Sequence, residues 1–232
     1  MLFVIEEEIF RRFPELLVGT VQVSGLDNSG RFEEIAVESR VLENETRRNF
    51  ESETLGEHPR IAAWRKAYSS FGAKPKKYRS SVENLVRLIL RKGGLPSINP
   101  VVDLINFVSV KHVLPVGGDD LDKLEGPLRL CFASGDESFL PLNSEEREAV
   151  KPGEVIYRDD SEVLCRRWNW RESDKTKMTQ TTKRILLVAE ALPPVSGPEL
   201  KEALADLERL ILKFCGGESK TAVLHRQSNR LE

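Results

Sequence analysis

Residues 165–184 read Cys-Arg-Arg-Trp-Asn-Trp-Arg-Glu-Ser-Asp-Lys-Thr-Lys-Met-Thr-Gln-Thr-Thr-Lys-Arg. The cations Arg166, Arg167, Arg171, Lys175, Lys177, Lys183 and Arg184 face only Glu172 and Asp174, a local excess of five positive charges. Two indoles, Trp168 and Trp170, sit inside that run, with the short polar groups Asn169, Ser173, Thr176, Thr179, Gln180 and Thr181 among or beside them. Cations for phosphate, flat rings for stacking and short polar groups for base edges are the chemistry of a single-stranded nucleic acid site. The same residues also describe a solvated hairpin with two half-buried tryptophans, and composition does not separate the two.

Charge elsewhere is segregated, although the net charge is only −2. Residues 1–57 hold six Arg against thirteen acids, a balance of −7, and residues 60–92 hold ten Lys or Arg against Glu83 alone, a balance of +9. Such asymmetry is an argument about partners and not about fold. It suits a polyanion held in one place, with the loop cations Lys76, Lys77 and Arg79 placed to touch phosphate. At 232 residues and 40% hydrophobic content the chain can bury a sizeable core. No apolar run reaches the ~18 residues of a membrane helix, and no cationic region precedes the apolar residues at the start, so a cytoplasmic protein without a membrane partner is expected. Cys131, Cys165 and Cys215 are widely spaced and odd in number, which reads as reduced structural thiols.

Several elements must position these groups. Leu16 to Val23 has the β-branched content of a strand. Phe32 opens a surface helix, and His58-Pro59 starts another that carries Ile61, Trp64, Tyr68 and Phe71 at helical spacing. Ser81 caps an apolar helix that stops at Gly93-Gly94. Asn99-Pro100 caps a helix from Val101 to about Val110 that is apolar nearly all round, so its Asp103 and Asn106 need partners: a structural knot or one wall of a pocket. The stretch 114–120, Leu-Pro-Val-Gly-Gly-Asp-Asp, is expected to be irregular, with Gly117 and Gly118 allowing close approach of a ligand. Leu128 to Ala133 with Ser138 to Leu142, and Glu154 to Tyr157 with Glu162 to Arg167, read as hairpins. Arg184 to Glu190 reads as a buried strand, Ser196 to Glu199 as a capping box before a long amphipathic helix, and residues 218–232 as a flexible tail behind a single domain over 1–217. Strands and helices do not alternate as crossover units would, so the fold class is α+β, a mixed or antiparallel sheet packed with helices.

Common catalytic kits are missing. No glycine-rich phosphate loop occurs. His58, His112 and His225 are the three histidines, and with the cysteines and acids they give neither a metal site nor a charge-relay triad, so no metal or cofactor is expected. A hydrolase built on this chain would work by positioning water and substrate.

The Val101-Val-Asp-Leu-Ile-Asn-Phe-Val segment resembles the Val-Asp-x-Thr-Asn-Tyr-Val helix of the B3/B4 editing module in the β subunit of bacterial phenylalanyl-tRNA synthetase. Residues 60–214 look like free-standing members of that family, which carry the Leu-Pro-Val-Gly-Gly-x-Asp and Cys-Arg-x-Trp-Asn-Trp-Arg segments present here at 114–120 and 165–171. In the synthetase the module hydrolyses tyrosine wrongly esterified to the phenylalanine tRNA, the second sieve of a double sieve. The resemblance retains the helix asparagine as Asn106 and the loop proline as Pro115. It places Ile105 where the family has threonine, Gly117 where it has histidine, and Glu190 at the glutamate that reads the tyrosine hydroxyl, with Val188 the competing alignment. Arg-Trp-Asn-Trp-Arg replaces a glycine-rich pocket segment, so the amino-acid slot should differ in size and polarity from one made for tyrosine.

The resemblance implies a trans-editing aminoacyl-tRNA deacylase. Asn106, Asn169 and Glu190 would orient amino acid and water, and Asp103, Gly117, Gly118, Asp119, Trp168 and Trp170 would shape the amino-acid pocket. Arg166, Arg167, Arg171, Lys175, Lys177, Lys76, Lys77 and Arg79 would hold RNA. A non-catalytic tRNA-binding module and a small-molecule protein that takes a free amino acid are the alternatives. One spatial expectation separates them: Asn106, Gly117, Trp168 and Glu190 should line one cavity, with the cations at its border.

Overall fold

The computed structural model describes residues 2–232, apart from the side chain of Lys92. In chain order the elements are β1 (Phe3–Ile5), α1 (Glu7–Arg12), β2 (Leu17–Ser24), α2 (Glu33–Asn49), α3 (Pro59–Ser70), α4 (Ser81–Lys92), α5 (Pro100–His112), β3 (Val116–Asp120), β4 (Leu128–Phe132), β5 (Ser138–Phe139), β6 (Glu148–Ala149), β7 (Val155–Arg158), β8 (Val163–Arg166), β9 (Arg171–Glu172), β10 (Arg184–Ala191), α6 (Gly197–Cys215), β11 (Glu218–Leu224) and β12 (Arg230–Leu231). The class is α+β, as expected. No helix among the described residues is long and apolar enough to cross a membrane.

Two sheets organise the chain. The larger has the order β12-β1-β4-β7-β8-β9, with β1 and β4 parallel and the other pairs antiparallel. The smaller is wholly antiparallel, β11-β2-β10-β3. β10 lies inside it, buried on both faces, and the two-residue period of a strand divides its side chains between two cores. Ile185, Leu187, Ala189 and Ala191 face a core with α5 and α6, built from residues such as Leu104, Val108, Leu204 and Leu207. Leu186 and Val188 face the other core, with Trp64, Tyr68, Tyr157, Leu164 and Trp168. Glu190 shares their parity, which is why a carboxylate points into an aromatic interior.

The helix starts follow their residues unevenly. Asn99 accepts from the backbone N–H of Val102, and Ser196 and Glu199 form the expected capping box. His58 occupies the cap position of α3 without a side-chain bond. The cap of α4 is Ser80, one residue before the serine expected there, and its hydroxyl makes no capping bond either.

Three expectations are corrected. Residues 116–120 are not irregular: they form the edge strand β3, with Gly117 opposite Val188 and Gly118 opposite Leu187. Gly118 is needed for proximity, since a Cβ there would lie 2.6 Å from the Leu186 carbonyl oxygen. The expected hairpin of 128–133 with 138–142 does not form. Both edges of β4 are taken, by β1 and β7, so β5 pairs with β6 instead. Residues 218–232 are not a free tail: β11 pairs along β2 from Glu218 opposite Ser24 to Leu224 opposite Val18, and β12 pairs with β1. That strand covers an edge that would otherwise present unpaired N–H and C=O groups, and its wet outer face hides the alternation in sequence. The hairpin of β7 and β8 forms as read.

Candidate functional site: a chamber and its buried carboxylates

The cationic segment that begins at Cys165 starts as a hairpin. β8 and β9 pair through Cys165 opposite Glu172 and Arg166 opposite Arg171, and Arg167-Trp168-Asn169-Trp170 forms the loop. Arg167 and Trp168 both have positive φ, 47° and 70°, a left-handed pair that non-glycine residues rarely adopt. Buried bonds hold the turn in place. The Trp168 N–H donates to the Val155 carbonyl at 2.6 Å, and the indole Nε1 donates to Glu190 Oε1 at 2.5 Å.

Glu190 is the hub of a closed network. Its Oε1 also accepts from the Tyr157 hydroxyl at 2.6 Å, its Oε2 accepts from Asn169 Nδ2 at 2.7 Å, and Asn169 Oδ1 accepts from the Tyr68 hydroxyl at 2.9 Å. Burial pushes the Glu190 carboxyl up to about 7, against the pull of these donors. α3, β7, the hairpin loop and β10 are therefore joined in one network, three of them at the carboxylate itself.

This knot floors a small recess of about 20 Å³, room for one water. Gly117, Gly118, Asp119, Trp168, Asn169, Glu172 and Glu190 are among its walls. The recess adjoins an outer chamber of about 440 Å³, with which it shares walls at Ser81, Val116, Gly117, Gly118 and Glu172. Asn106, Ile105, Val102, Leu85, Trp170, Thr176, Lys177 and Met178 are among the other walls of the chamber. The four residues expected to share a cavity thus divide: Asn106 in the chamber, Trp168 and Glu190 in the recess, and Gly117 in both. A larger cleft of about 530 Å³ lies on the other side of α5, against α2 and the 94–99 loop. It touches the chamber at Ile98 and Asn106, but its carboxylates are Glu33, Glu43 and Asp103 and not Asp119, Glu172 or Glu190.

Glu172 is the residue that the sequence reading passed over. It stands on β9, its side chain open to the chamber, and a Cβ placed on Gly117 would lie 3.3 Å from Glu172 Oε1. Its carboxyl is raised above the ordinary range by desolvation and then by the charges of Asp119 and Glu190, while the Cys165 thiol works the other way. Water in the chamber reaches this group, which moderates the rise. Asp119 accepts from Thr176 Oγ1 at 2.5 Å and is pushed up to about 6, first by burial and then by Asp159 and Asp120. Three carboxyls crowd one recess, so it is acidic. In the sequence Glu172 was counted only as a deduction from a cationic run; the signal for it was the strand parity of the returning arm.

Ser81 is a second missed residue. It opens α4, lines both compartments, and its buried Oγ has no hydrogen-bond partner among the described residues. An orphaned buried hydroxyl is uncommon enough to mark a place where a ligand atom fits.

Several assigned residues lie elsewhere. Asp103 does not wall the pocket: it accepts from Ser97 Oγ at 2.7 Å and from the Ile98 N–H at 2.8 Å, pinning the loop before α5. Asn169 and Glu190 are saturated by one another and by aromatic donors, so they position the site and do not reach into the chamber.

The cations give the largest correction. Arg166 is buried, with Nε and Nη2 on the two oxygens of Glu154 at 3.0 and 2.8 Å and Nη1 on Glu148 at 2.9 Å. Arg167 reaches Glu154 at 3.0 Å and lies 3.8 Å from the Tyr78 ring centre. Arg171 pairs with Glu148 at 2.9 Å. Lys175 is a clamp: it bonds Glu125 and Asp159, each at 2.7 Å. Burial would raise Asp159, but Lys175 and the backbone N–H groups of Glu125, Glu162 and Ser161 hold it down at about 2. Lys177 alone of the assigned cations borders the chamber, and it pairs with Asp174. Arg79 is 3.4 Å from Glu83, Lys76 is exposed and lines neither compartment, and Lys77 lines a separate cleft. A count of charge along a segment does not register the acids that folding brings against it.

The sequence profile described as the B3/4 domain matches residues 63–216. The phenylalanine–tRNA ligase β subunit of Shewanella oneidensis is 27% identical over 157 residues, covering 58% of this chain and 20% of its own. That of Fusobacterium nucleatum is 36% identical over 76 residues, covering 33% of this chain and 9% of its own. The chain thus spans a fifth or less of the length of these relatives. A crystal structure of an N-terminal fragment of the Pyrococcus horikoshii phenylalanyl-tRNA synthetase β subunit aligns over 95% of this chain and 50% of its own, with a TM-score of 0.46 and 13% identity.

Proposed function

This chain belongs to the B3/4 domain family, and from that membership we propose that it takes the aminoacyl end of a charged tRNA into the chamber and hydrolyses the ester. The observation that carries the reading is the chamber itself: an apolar-walled space of about 440 Å³ that ends on Gly117, Gly118 and the Glu172 carboxylate. A pocket of this kind, mostly apolar with a few converging polar groups, is the form a small-ligand site takes. The relatives' names supply the tRNA.

In this mechanism the acidic recess draws the α-ammonium of the amino acid, while Val102, Ile105 and Met178 receive its side chain. Glu172 takes a proton from water as the water oxygen attacks the ester carbonyl; its raised pKa brings it towards the range a general base needs near neutral pH. Asn106 and Ser81 Oγ donate to the carbonyl oxygen as it becomes an oxyanion. The carbonyl–ribose C–O bond then breaks, and the proton returns to the ribose oxygen. No protein nucleophile is involved. An apolar slot separates side chains by only ~1–3 kcal/mol per methylene, so the factor accepts several related amino acids.

The test is deacylation of a panel of mischarged tRNAs by the wild type beside Glu172→Gln and Asn106→Ala. No release above the buffer rate at saturating protein would sink the proposal. A second reading, a binding protein for a free amino acid, is favoured by the neutralisation of Arg166, Arg167, Arg171 and Lys175 within the fold. It predicts calorimetric binding of an amino acid that tRNA neither competes with nor enhances.

A further inference from the structure

Beside the chamber lies a cleft of about 360 Å³ whose walls include Lys74, Lys77, Lys151, Tyr78, Glu154 and Arg167. The lysines come from two distant parts of the chain: the turn after α3, closed by the Lys77 and Tyr78 N–H groups on the Lys74 carbonyl, and the turn that leads into β7, closed by the Glu154 N–H on the Lys151 carbonyl. Among the described residues, Lys74, Lys77 and Lys151 form no ion pair, in contrast to the cations of the hairpin. The one carboxylate present, Glu154, is already held by two guanidiniums, those of Arg166 and Arg167. Three ammonium groups therefore converge without compensation. Tyr78 registers the excess: burial would raise its hydroxyl, yet the Lys77 hydrogen bond and the charges of Arg167, Lys77 and Lys151 leave it lowered.

The position of the cleft matters as much as its charge. Tyr78 meets Trp170 edge to face, with ring centres 4.8 Å apart, and Trp170 is a wall of the chamber. Arg167 lies 3.8 Å from the Tyr78 ring centre and 4.7 Å from that of Trp170. One stack of two rings and a guanidinium thus separates the chamber, which has the acidic recess beside it, from a basic cleft. A ligand with an ammonium at its end and phosphates a short way behind it matches that order of charge. Free lysines suit such a ligand, because each is a flexible point charge that tolerates variable phosphate geometry.

Resting on the function proposed above, we infer that the Lys74–Lys77–Lys151 cleft binds backbone phosphate of the single-stranded 3′ end whose aminoacyl terminus enters the chamber, and that Tyr78 and Trp170 are the rings over which the strand crosses. The phosphate chemistry is shared with free polyphosphates, and the experiment separates them. Its probes are a labelled single-stranded RNA ending in CCA and inorganic pyrophosphate. They are titrated against the full chain, the triple variant Lys74→Gln/Lys77→Gln/Lys151→Gln and the control Lys76→Gln, with circular dichroism confirming that each is folded. All four lysines are exposed, so the fold does not depend on them.

The triple variant is expected to bind RNA at least ~10-fold more weakly and to lose about 2 from the slope of log Kd against log salt, as the loss of three phosphate contacts on a single strand requires. Lys76→Gln should bind within about twofold of the wild type. Equal affinity and slope in wild type and triple variant would overturn the inference, as would an equally large loss from Lys76→Gln alone, or pyrophosphate binding that fully accounts for the RNA affinity. Parallel deacylation assays keep the two proposals apart. Lysine-dependent RNA binding without ester hydrolysis leaves the cleft standing and removes the deacylase. Hydrolysis with an unchanged KM in the triple variant removes the cleft and leaves the deacylase.

Discussion

The Trp168 indole donates to Glu190 Oε1 at 2.5 Å, across 22 residues of sequence, from a backbone turn with positive φ. That bond sews the hairpin loop to the smaller sheet, and Tyr157 and Asn169 complete the shell around the same carboxylate. The recess below the chamber exists because these groups cannot collapse into it without leaving a buried donor unpaired.

The stability of the protein should fall as pH rises through Glu190's titration. The folded-state pKa, about 7, lies above the group's ordinary value of 4.5, so the folded protein keeps a proton that the unfolded chain has lost. The contribution is fully present below about 4.5 and is gone above about 7, a change of about 3 kcal/mol across the window. Urea denaturation between pH 4.5 and 7.5 measures it. Glu190→Gln should flatten this dependence and lower stability by ~1–3 kcal/mol, because one donor then faces an amide N–H₂. An unchanged pH slope in the variant would refute the assignment.

Glu172→Gln should separate activity from folding. The side chain is open to the chamber, and the glutamine keeps an oxygen that can accept from the buried Cys165 thiol, so Tm should stay within ~2 °C of the wild type. Deacylation should fall ~10²–10⁴-fold, the usual contribution of a general base. The ascending limb of the wild-type pH–rate profile should lie above the ordinary carboxylate range, since desolvation and the neighbours Asp119 and Glu190 raise the group. In the variant that limb should be absent. A limb that survives the substitution would transfer the base role elsewhere.

Gly117 and Gly118 are adjacent but should respond oppositely. A Cβ on Gly118 would lie 2.6 Å from both the Leu186 carbonyl oxygen and Leu187 Cδ2, so Gly118→Ala should lose ~1–3 kcal/mol of stability. On Gly117 the nearest atom is Glu172 Oε1 at 3.3 Å, the end of a flexible side chain. Gly117→Ala should melt like the wild type and weaken ligand binding in the chamber instead. Thermal melts and calorimetry read the two effects independently.

Arg166→Ala should be a stability variant and not an RNA-binding one. Its guanidinium is buried against Glu154, and removing one partner of a buried ion pair leaves an uncompensated charge, at a cost of ~3–5 kcal/mol. RNA affinity of the fraction that folds should change less than about twofold, with an unchanged salt slope. A large loss of affinity without loss of stability would restore the role that the sequence suggested.

What the sequence determined by itself was local. The caps at Asn99 and Ser196, the stripe of α6, the buried run of β10 and the hairpin arms of β7 and β8 are set by short-range periodicity and hydrogen bonding, and all form where they were read. The motifs at 101–108, 114–120 and 165–171 were likewise enough to identify the family, whereas Asn106 and Trp168, expected in one cavity, fall in the chamber and the recess respectively. What only the tertiary structure decided was which charges remain free. Glu154 and Glu148 neutralise Arg166, Arg167 and Arg171 across sheet pairings that no local pattern encodes, while Lys74, Lys77 and Lys151 form no ion pair among the described residues. The same pairing of β8 with β9 carried Glu172 from a cationic run to the chamber, and the parity of β10 sealed Glu190 among aromatic donors. Electrostatic function depends on distances of a few ångströms between segments far apart in the chain, and those distances are fixed only when the sheets close.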